Sequence, residues 1–466
     1  MQTHPKEEKN MSKKIAAIVM ALTLAASLTA CGSSLTGKTQ TASSASSSTV
    51  TSVSLPEESS ESSTVSGSLS TTAETTSQEP IASLGEEETS QEEMSVSSAA
   101  SAQEEVVAVA NMVSGGVIDT TDLFSNRDLR QTADLSEATS LTVSDGQTLT
   151  INTEGVYVIS GTAENATIVV EAGDEDKVQL VLDGLTVTNE DFPVIYVKNA
   201  DKVFITTTQG SENTLSVTGS FTADGDTNTD AVIFSRDDLV LNGLGTLNIS
   251  SSDNGIACKD DLKVTGGTVN ISCVADGIEV NDSFSMADGT VNIATYKDGI
   301  HAENDEDATQ GTVYVCGGSL NISAGDDAVH GTSYVQIDGG ALNLSAAEGI
   351  EGTYIQVNGG DVNIEASDDG INAAWKSNAS TPTVEINDGT LTIVMGQGDT
   401  DGIDSNGNLI INGGTIDVTG QSPFDYDGQA QYNGGTLIVN GSQTDSITNQ
   451  MMGGGMGGFG GGRGGR

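Results

Sequence analysis

Short runs of alternating apolar and polar residues dominate the chain from residue 118 onward. The runs VNI at 269–271 and VNI at 291–293 are followed by LNI, LNL and VNI at later positions. Alternation with a period of two residues predicts strands that bury the aliphatic side chains and present each Asn on the opposite face. Turns that contain glycine precede these runs, as expected between short strands. The pattern therefore predicts an all-β protein.

The turn motif after each run recurs at a nearly constant interval. Most steps between its small residues are almost equal in length, and two longer steps mark insertions. The small residues are Gly255, Gly277, Gly299, Ala328, Gly349, Gly370 and Gly402. A fixed period with two or three strands per unit predicts a parallel β-helix with coils of about 22 residues, each stacked on the last. The alternative is a β-sandwich, which needs no fixed coil length.

The N-terminal segment at 1–31 has the pattern of an export signal. Lys13 and Lys14 precede an apolar run at 15–28, which is too short for a comfortable membrane span and leads into Leu-Thr-Ala-Cys ending at Cys31. This is similar to a bacterial lipoprotein signal, so we expect Cys31 to be lipidated. The protein would then be an extracellular, cell-surface lipoprotein anchored to the cytoplasmic membrane. An ordinary secretory signal with an incidental cysteine is the alternative.

Composition divides the rest of the chain. Residues 32–110 are rich in Ser, Thr and Glu with little apolar surface, which predicts a disordered linker. Residues 118–445 carry the strand pattern and form the predicted β-helix domain, with opening coils and a cap before residue 217. Residues 451–466 form a Gly- and Met-rich tail that is also expected to be disordered. The remaining cysteines, Cys258, Cys273 and Cys316, have no metal or disulfide spacing and are expected to be buried thiols.

The charge balance restricts the partners. The chain has 17 basic and 66 acidic residues, a formal net charge of -49. Such a chain repels nucleic-acid phosphates, so we expect no nucleic-acid partner. A neutral partner, or an acidic one bridged by a cation, is compatible with this charge.

The acidic residues fall into two columns when the coils are aligned. One column precedes the small residue, and the second lies three positions beyond the first. Carboxylates stacked about 4.8 Å apart repel by roughly 1 kcal/mol per neighbouring pair in water. Calcium would offset this repulsion, because it takes six to eight oxygen ligands. The predicted Ca²⁺ ligands are Asp276, Asp298, Asp327, Glu348, Asp369 and Asp401 in the first column, with Glu279, Glu351, Asn372 and Asp404 in the second.

Two other interpretations of these columns stay open. Asp-Gly is ordinary turn chemistry, so an acidic residue can recur only because each coil needs the same turn. His301 and His330 also occupy the second column, and imidazole permits a transition metal.

Aromatic residues give a second candidate surface. Tyr334 aligns with Tyr354 in successive coils, and Tyr314 falls on the same face of the strands. We expect these three rings to point outward, where they would stack on sugar rings or simply cover the strands. Trp375 is expected in an inserted loop near the acidic columns.

Several motifs resemble one family when taken in order along residues 118–445. They are DLFSNRDL at 122–129, IYVKNADKVFI at 195–205 and DDLVLNG at 237–243, followed by KDGIHAEND, AEGIEG, SDDGINAA, DGIDSNG and FDYDG. Together they resemble the surface-exposed β-helix carbohydrate-binding domain-containing proteins of clostridia and related Gram-positive bacteria. The resemblance implies a right-handed, pectate-lyase-like solenoid, bound calcium, and binding of plant cell-wall polymers such as cellulose and polygalacturonate.

These observations favour a noncatalytic, calcium-dependent module that binds polysaccharide, either acidic or cellulosic. One alternative is a calcium-dependent uronate (pectate) lyase, for which Lys297 or His301 would be the catalytic base. Another is a structural adhesin or stalk in which the β-helix is only a spacer.

Overall fold

The computed structural model describes residues 112–113, 115–398 and 400–449. The predictions for the signal at 1–31, the linker at 32–110 and the tail at 451–466 lie outside these residues. The described residues form strands and turns without a helix. Accordingly, no helix in this part of the chain is long and apolar enough to cross a membrane.

The strands are short, and most contain three to six residues. In chain order they are β1 (Thr139–Thr142), β2 (Thr148–Ile151), β3 (Gly155–Glu164), β4 (Thr167–Glu171), β5 (Lys177–Asn189), β6 (Ile195–Asn199), β7 (Lys202–Thr207), β8 (Glu212–Val217), β9 (Ala231–Ser235), β10 (Asp238–Gly243), β11 (Thr246–Ser251), β12 (Asn254–Cys258), β13 (Asp261–Val264), β14 (Thr268–Ser272), β15 (Ile278–Val280), β16 (Ser283–Met286), β17 (Thr290–Ala294), β18 (Ile300–Ala302), β19 (Thr312–Val315), β20 (Ser319–Ser323), β21 (Asp327–Ile337), β22 (Ala341–Ala346), β23 (Glu348–Val357), β24 (Asp361–Ala366), β25 (Asp369–Ala373), β26 (Thr383–Ile386), β27 (Thr390–Met395), β28 (Asp401–Ser405), β29 (Asn408–Ile411), β30 (Thr415–Thr419), β31 (Ser422–Phe424), β32 (Ala430–Tyr432), β33 (Thr436–Val439) and β34 (Ser442–Thr444).

The strands stack into three ladders. The covered ladder consists of β1, the first halves of β3 and β5, β7, β10, β13, β16, β19, the second halves of β21 and β23, β26, β29 and β32. The asparagine ladder consists of the second halves of β3 and β5, β8, β11, β14, β17, β20, β22, β24, β27, β30, β33 and β34. The acidic ladder consists of β2, β4, β6, β9, β12, β15, β18, the first halves of β21 and β23, β25, β28 and β31.

Parallel pairing distinguishes this architecture from a sandwich. Every pairing between the named strands is parallel except that of β33 with β34. In the regular middle part, side chains of paired residues such as Asn248 and Asn270 are 22 residues apart in sequence. The protein is therefore all-β with one long, mainly parallel sheet, consistent with a β-solenoid, and the sandwich alternative is not supported.

Alternating residues of the three ladders form one continuous apolar core. In β14, Val269 and Ile271 are buried, whereas Asn270 between them is partly exposed. Their partners in β17 repeat the arrangement, so each aliphatic side chain packs against its equivalent in the next coil. Cys258, Cys273 and Cys316 are buried thiols outside any disulfide, as predicted, and burial raises the pKa of Cys316 to about 11.

The small residue of the repeat is required by close contact between coils. A Cβ atom on Gly277 would lie 2.5 Å from the carbonyl oxygen of Gly299, and one on Gly299 would lie 2.5 Å from that of Ala328. These distances are well inside van der Waals contact. The turn motif therefore contains a small residue because the next coil lies directly above it.

A segment without regular structure covers one ladder. This strap, residues 115–131, crosses the strands of the covered ladder. The N–H of Val117 donates to Gln356 Oε1 (3.1 Å), the N–H of Ile118 donates to Gln336 Oε1 (2.8 Å), and Lys263 Nζ donates to the carbonyl of Leu123 (2.6 Å). The sequence predicted a cap before residue 217. The structure instead places the segment before β1 along a sheet face, with β1–β8 as opening coils.

We expect Phe124→Ala to loosen the strap. Phe124 packs beside Tyr314, with ring centroids 6.5 Å apart, and is only half-buried. Loss of its apolar contact should lower the free energy of unfolding by about 1–2 kcal/mol. Chemical denaturation measures this change, and limited proteolysis should cut the variant first within the strap. Unchanged stability and unchanged cleavage would show that the strap does not hold the covered ladder.

Candidate functional site

The acidic ladder aligns the predicted acidic residues in two columns. In the first column, Asp327 pairs with Glu348 and Asp369 pairs with Asp401. The second column runs through consecutive partners in the order Glu279, His301, His330, Glu351, Asn372 and Asp404. The sequence repeat thus placed these side chains correctly relative to one another.

One carboxylate oxygen of several aspartates in the first column has a structural role. Oδ1 of Asp276 accepts the N–H of Asp298 (3.1 Å), and Oδ1 of Asp298 accepts the N–H of Asp327 (2.9 Å). Further along, Oδ1 of Asp369 accepts the N–H of Asp401 (3.1 Å). Asn254 does the same for the N–H of Asp276. An amide serves as well as a carboxylate, so this part of the pattern fits the turn-chemistry interpretation.

In the first part of the ladder, each acidic side chain also contacts a cationic side chain. We call these five residues the neutralised segment: Asp276, Glu279, Asp298, Asp327 and Glu351. The ion pairs are Lys297 with Asp276 (3.3 Å), Lys259 with Glu279 (2.5 Å), His301 with Asp298 (2.5 Å), His330 with Asp327 and with Glu351 (2.9 Å each), and Lys376 with Glu351 (2.7 Å). The repeat pattern did not predict the contacts of Lys259 and Lys376 with the second column. The chain itself therefore offsets the repulsion here.

His301 and His330 stack on each other in the neutralised segment. Their ring centroids are 4.7 Å apart and their planes differ by 2°. A metal binds in the plane of an imidazole, along a nitrogen lone pair, so two parallel stacked rings do not converge on one ion. Burial disfavours the charged form of His330, but its hydrogen bonds to Asp327 and Glu351 outweigh burial and raise its pKa to about 10. Nδ1 of His330 is already shared by Asp327 and Glu351 at 2.9 Å each, so a metal held by these three side chains would have to replace the proton of His330.

The carboxylates around His330 respond to its charge. Burial opposes ionisation of Glu351, but the hydrogen bonds from His330 and Lys376 prevail and lower its pKa to about 2. The same imidazolium also contacts Asp327. There burial is the larger effect, and it raises the pKa of Asp327 to about 6. The neutralised segment is therefore a compact buried ion-pair network.

The last part of the ladder differs, and we call it the open segment (Glu348, Asp369, Asn372, Asp401, Asp404 and Asp425). Within residues 115–398 and 400–449, no ion pair involves Glu348, Asp369 or Asp404. Burial, followed by neighbouring carboxylates, raises the pKa of Glu348 to about 8 and that of Asp404 to about 7. Burial likewise raises the pKa of Asp369 to about 6. None of these three groups is in an ion pair of the described structure, although the charge of Lys376 reaches Glu348.

Two buried oxygens in the open segment lack a hydrogen-bond partner in the described structure. They are Oδ1 of Asn372, whose amide nitrogen donates to Glu348 (3.0 Å), and Oδ1 of Asp425. Asp425 was not among the predicted ligands. It follows Phe424, the partner of Ile403, and so extends the second column, but Ser422 and Pro423 stand where the repeat has its acidic and small residues. The open segment thus presents carboxylate and amide oxygens, the ligand type that suits a hard divalent cation.

The aromatic prediction is wrong for Tyr314. Its side chain is buried at 1% exposure beneath the strap, and its hydroxyl donates to Asp338 Oδ2 (2.8 Å). Tyr334 and Tyr354 are partners in register and only half-buried, and the Tyr354 hydroxyl donates to Glu385. Trp375 is 63% exposed in the loop after β25, beside Lys376, which contacts the acidic ladder.

The two candidate bases are both held by acidic residues. Burial disfavours the charged form of Lys297, but Asp276 outweighs it and raises the pKa. His301 shows the same balance: Asp298 holds Nδ1, Glu303 holds Nε2 (3.2 Å), and the pKa rises. A base must be neutral to accept a proton, so neither environment suits that role.

A long parallel sheet with polar columns facing outward is the architecture of a repeat protein with an extended binding surface. The chain belongs to the family of carbohydrate-binding domain-containing proteins, whose sequence profile matches residues 145–399 and 347–446. A relative with that description from Acetivibrio thermocellus is 35% identical over 158 residues, which cover 33% of this chain and 54% of the relative. The chain thus spans about half the length of that relative.

A solved structure is also similar to part of the chain. It is described as a polysaccharide lyase-like protein from C. thermocellum, in a gadolinium derivative, and is 30% identical with a TM-score of 0.42. The match covers 49% of this chain and 94% of that protein.

Proposed function

We propose that this protein is a cell-surface lipoprotein, lipidated at Cys31, with a noncatalytic, calcium-dependent module that binds plant cell-wall polysaccharide. The module is a right-handed parallel β-helix, and its preferred polymer is polygalacturonate or a cellulose-like glucan. Family membership supports carbohydrate binding. The single observation that carries the calcium proposal is the contrast between the neutralised segment and the open segment.

The open segment suits calcium by its charge, because Glu348, Asp369 and Asp404 are in no ion pair of the described structure. A shared ion would have to draw its carboxylates together, since the groups of three ligands that already converge within 4.8 Å lie elsewhere in the described residues. Glu348, Asp369, Asp401 and Asp404 would supply carboxylate oxygens, and Asn372 would supply the buried amide oxygen that lacks a partner. Calcium accepts this mixture of hard oxygen ligands in an irregular arrangement. The predicted ligands Asp276, Asp298, Asp327, Glu279 and Glu351 have cations of their own, so we no longer propose them as calcium ligands.

The bound cation would link the protein to an acidic polymer. Sugar carboxylates and the open segment repel each other, and a shared calcium converts this repulsion into attraction. The chain contributes the ligand oxygens and the fixed spacing of its coils. No proton transfer is needed, which agrees with the contacts that hold Lys297 at Asp276 and His301 at Asp298.

Retention of the full chain on immobilised polygalacturonate tests the function. We expect retention with calcium, release by chelator, and no increase in ultraviolet absorbance from unsaturated product. Product formation that Lys297→Ala abolishes would instead establish the lyase. Absence of retention on both polygalacturonate and cellulose would favour the stalk.

Calcium should also change how stability depends on pH. The folded-state pKa values of Glu348, Asp369 and Asp404 are raised, so the folded protein binds more protons than the unfolded chain between pH 4 and pH 8. Their contribution to the free energy of unfolding is complete below about pH 4, where all three groups are protonated, and is lost as pH rises to about 8. In chelator, we therefore expect the melting temperature to fall across this window.

Saturating calcium should reverse that loss at pH 8. At 100 times its dissociation constant, a ligand bound only by the folded state adds about 2.7 kcal/mol to the free energy of unfolding. Calorimetric melting with calcium and with chelator measures the difference. Equal melting temperatures in the two buffers at pH 8 would contradict a calcium site in the open segment.

A further inference from the structure

A shallow groove runs along the asparagine ladder, on a different strand face from the acidic ladder. It has a volume of about 800 Å³ and is lined by Asn248, Asn270, Asn292, Asn321, Asn343 and Asn363 with their outward neighbours. This volume lies in the range of ordinary ligand sites. Alternation in the sequence predicted that each Asn points outward.

The six asparagines form a hydrogen-bonded chain. The Nδ2 of Asn270 donates to Oδ1 of Asn248 (2.8 Å), that of Asn292 to Asn270 (2.7 Å), and that of Asn321 to Asn292 (2.9 Å). Asn343 and Asn363 continue the chain at 2.8 Å and 3.4 Å. An amide has two N–H donors and two acceptor lone pairs, and the chain uses one of each on an interior residue. A donor and an acceptor therefore remain on Asn270, Asn292 and Asn343 for an outside partner, whereas Nδ2 of Asn321 also donates to Ser319 Oγ (3.3 Å).

The charge of the groove selects the type of partner. Among the described residues that line it, Glu365 alone is charged, in a protein of net charge -49. Every other lining residue is neutral. Ser272, Ala294 and Ser323, which line the groove beside the asparagines, have small side chains that leave its space open. A polyanion would still meet the repulsive field of the whole chain. An uncharged chain rich in hydroxyl groups meets no such barrier and offers both donors and acceptors.

The spacing of the groove matches a linear polymer. Coils repeat at about 4.8 Å, so the floor from Asn248 to Thr392 extends roughly 29 Å along the stacking axis. One sugar residue in an extended β-1,4-linked chain has a length close to one coil spacing. Successive sugars would therefore meet equivalent amides.

We propose that the asparagine ladder is a second polysaccharide-binding surface, which takes an uncharged linear glycan along the stacking axis without calcium. On the tyrosine face, Tyr314 is buried and only Tyr334 and Tyr354 are partly exposed, whereas the asparagine ladder offers equivalent amides in six successive coils. This proposal extends the proposed function and does not depend on the calcium site. The asparagines would then have two roles, since hydrogen-bonded amide columns also stabilise stacked strands.

Calorimetric titration of the full chain with cellohexaose tests the proposal. We expect the same binding in calcium and in chelator, and about tenfold weaker binding for the double variant Asn270→Thr/Asn292→Thr, which loses two amide contacts. Thr is a suitable replacement because Thr392 is the partner of Asn363 in the same column. Ser323→Leu fills the groove without altering the asparagine chain and should also weaken binding.

A second asparagine column supplies the matched control. Asn387 donates to Asn358 and accepts from Asn412, each at 2.7 Å, in the turns after the covered ladder. Asn387→Thr removes the same kind of hydrogen bond outside the groove and should leave cellohexaose binding unchanged. Equal weakening by both kinds of variant, binding that requires calcium, or no binding would each overturn the proposal. Calcium-dependent retention on polygalacturonate would remain a separate result in all three cases.

Discussion

Replacing Gly277 with Ala is expected to lower the free energy of unfolding by about 3 kcal/mol, at the upper end of the usual cost of overpacking. The added Cβ would lie 2.5 Å from both the Gly299 carbonyl oxygen and Ile293 Cγ2. The carbonyl oxygen accepts the N–H of Ile278, so a shift to relieve the contact would also strain the ladder. Denaturant unfolding of the variant and the wild type measures the change.

Ala328 provides the control for this prediction. It occupies the same position of the repeat, is fully buried, and already carries a Cβ. Ala328→Gly removes one methyl group and adds backbone freedom, so it should cost only about 1 kcal/mol. If Gly277→Ala cost no more than Ala328→Gly, close coil stacking would not be the reason for the small residue.

Replacing His330 with Leu is expected to cost about 3–5 kcal/mol, because it leaves the buried Asp327 carboxylate without a cation and Glu351 with Lys376 alone. His330 contacts Asp327 and Glu351 at 2.9 Å, and all three side chains are buried. The loss should shrink in acid, because Asp327 becomes protonated below its pKa of about 6 and no longer needs a positive partner. Unfolding curves at pH 7 and pH 4 measure both effects.

Lys297→Ala serves for comparison, because it breaks an ion pair whose lysine side chain is 61% exposed. Asp276 itself is buried, but water can replace the exposed ammonium group beside it, so this variant should lose less stability than His330→Leu. The His330 network also has an alkaline limit. Its stabilisation is complete below about pH 6.5 and is lost as pH rises through about 10. A His330 variant as stable as Lys297→Ala at pH 7 would contradict the role of His330 as an internal cation.

The sequence predicted the columns well because a repeat fixes which residues become neighbours. The pairing of Glu351 with Asn372 and of Asn372 with Asp404 follows from the alignment of equivalent positions. The interior was equally predictable, since alternation in a strand decides which side chains face the core. These properties depend only on local pattern and period.

The sequence did not predict what lies over each column. Lys376 reaches Glu351 from an insertion that has no counterpart in the other coils. Tyr314 is buried because the strap, which lies far earlier in the sequence, covers its face at Phe124. The repeat period carries no information about contacts made by nonrepeating segments. Alternation therefore predicted that Tyr314 points outward, but it could not predict that the strap covers it.

The neutralised and open segments explain how one column can have two roles. Oδ1 of Asp276 and Oδ1 of Asp369 each accept a backbone N–H from the next coil. Oδ2 of Asp276 also contacts Lys297, whereas Asp369 has no ion pair in the described structure. Turn chemistry thus accounts for the recurrence of the acidic residue. The absence of an internal cation beside Asp369 in the described residues accounts for where calcium is proposed.

The most direct test compares Asp404→Asn with Asp276→Asn for retention of the full chain on polygalacturonate in calcium. Asp276→Asn keeps the structural acceptor, as Asn254 does in the preceding coil, and should be retained like the wild type. Asp404→Asn should lose most of its retention and, in chelator at pH 8, should be slightly more stable than the wild type because a repelling charge is removed. Equal retention of the two variants would contradict a polysaccharide site built on calcium in the open segment.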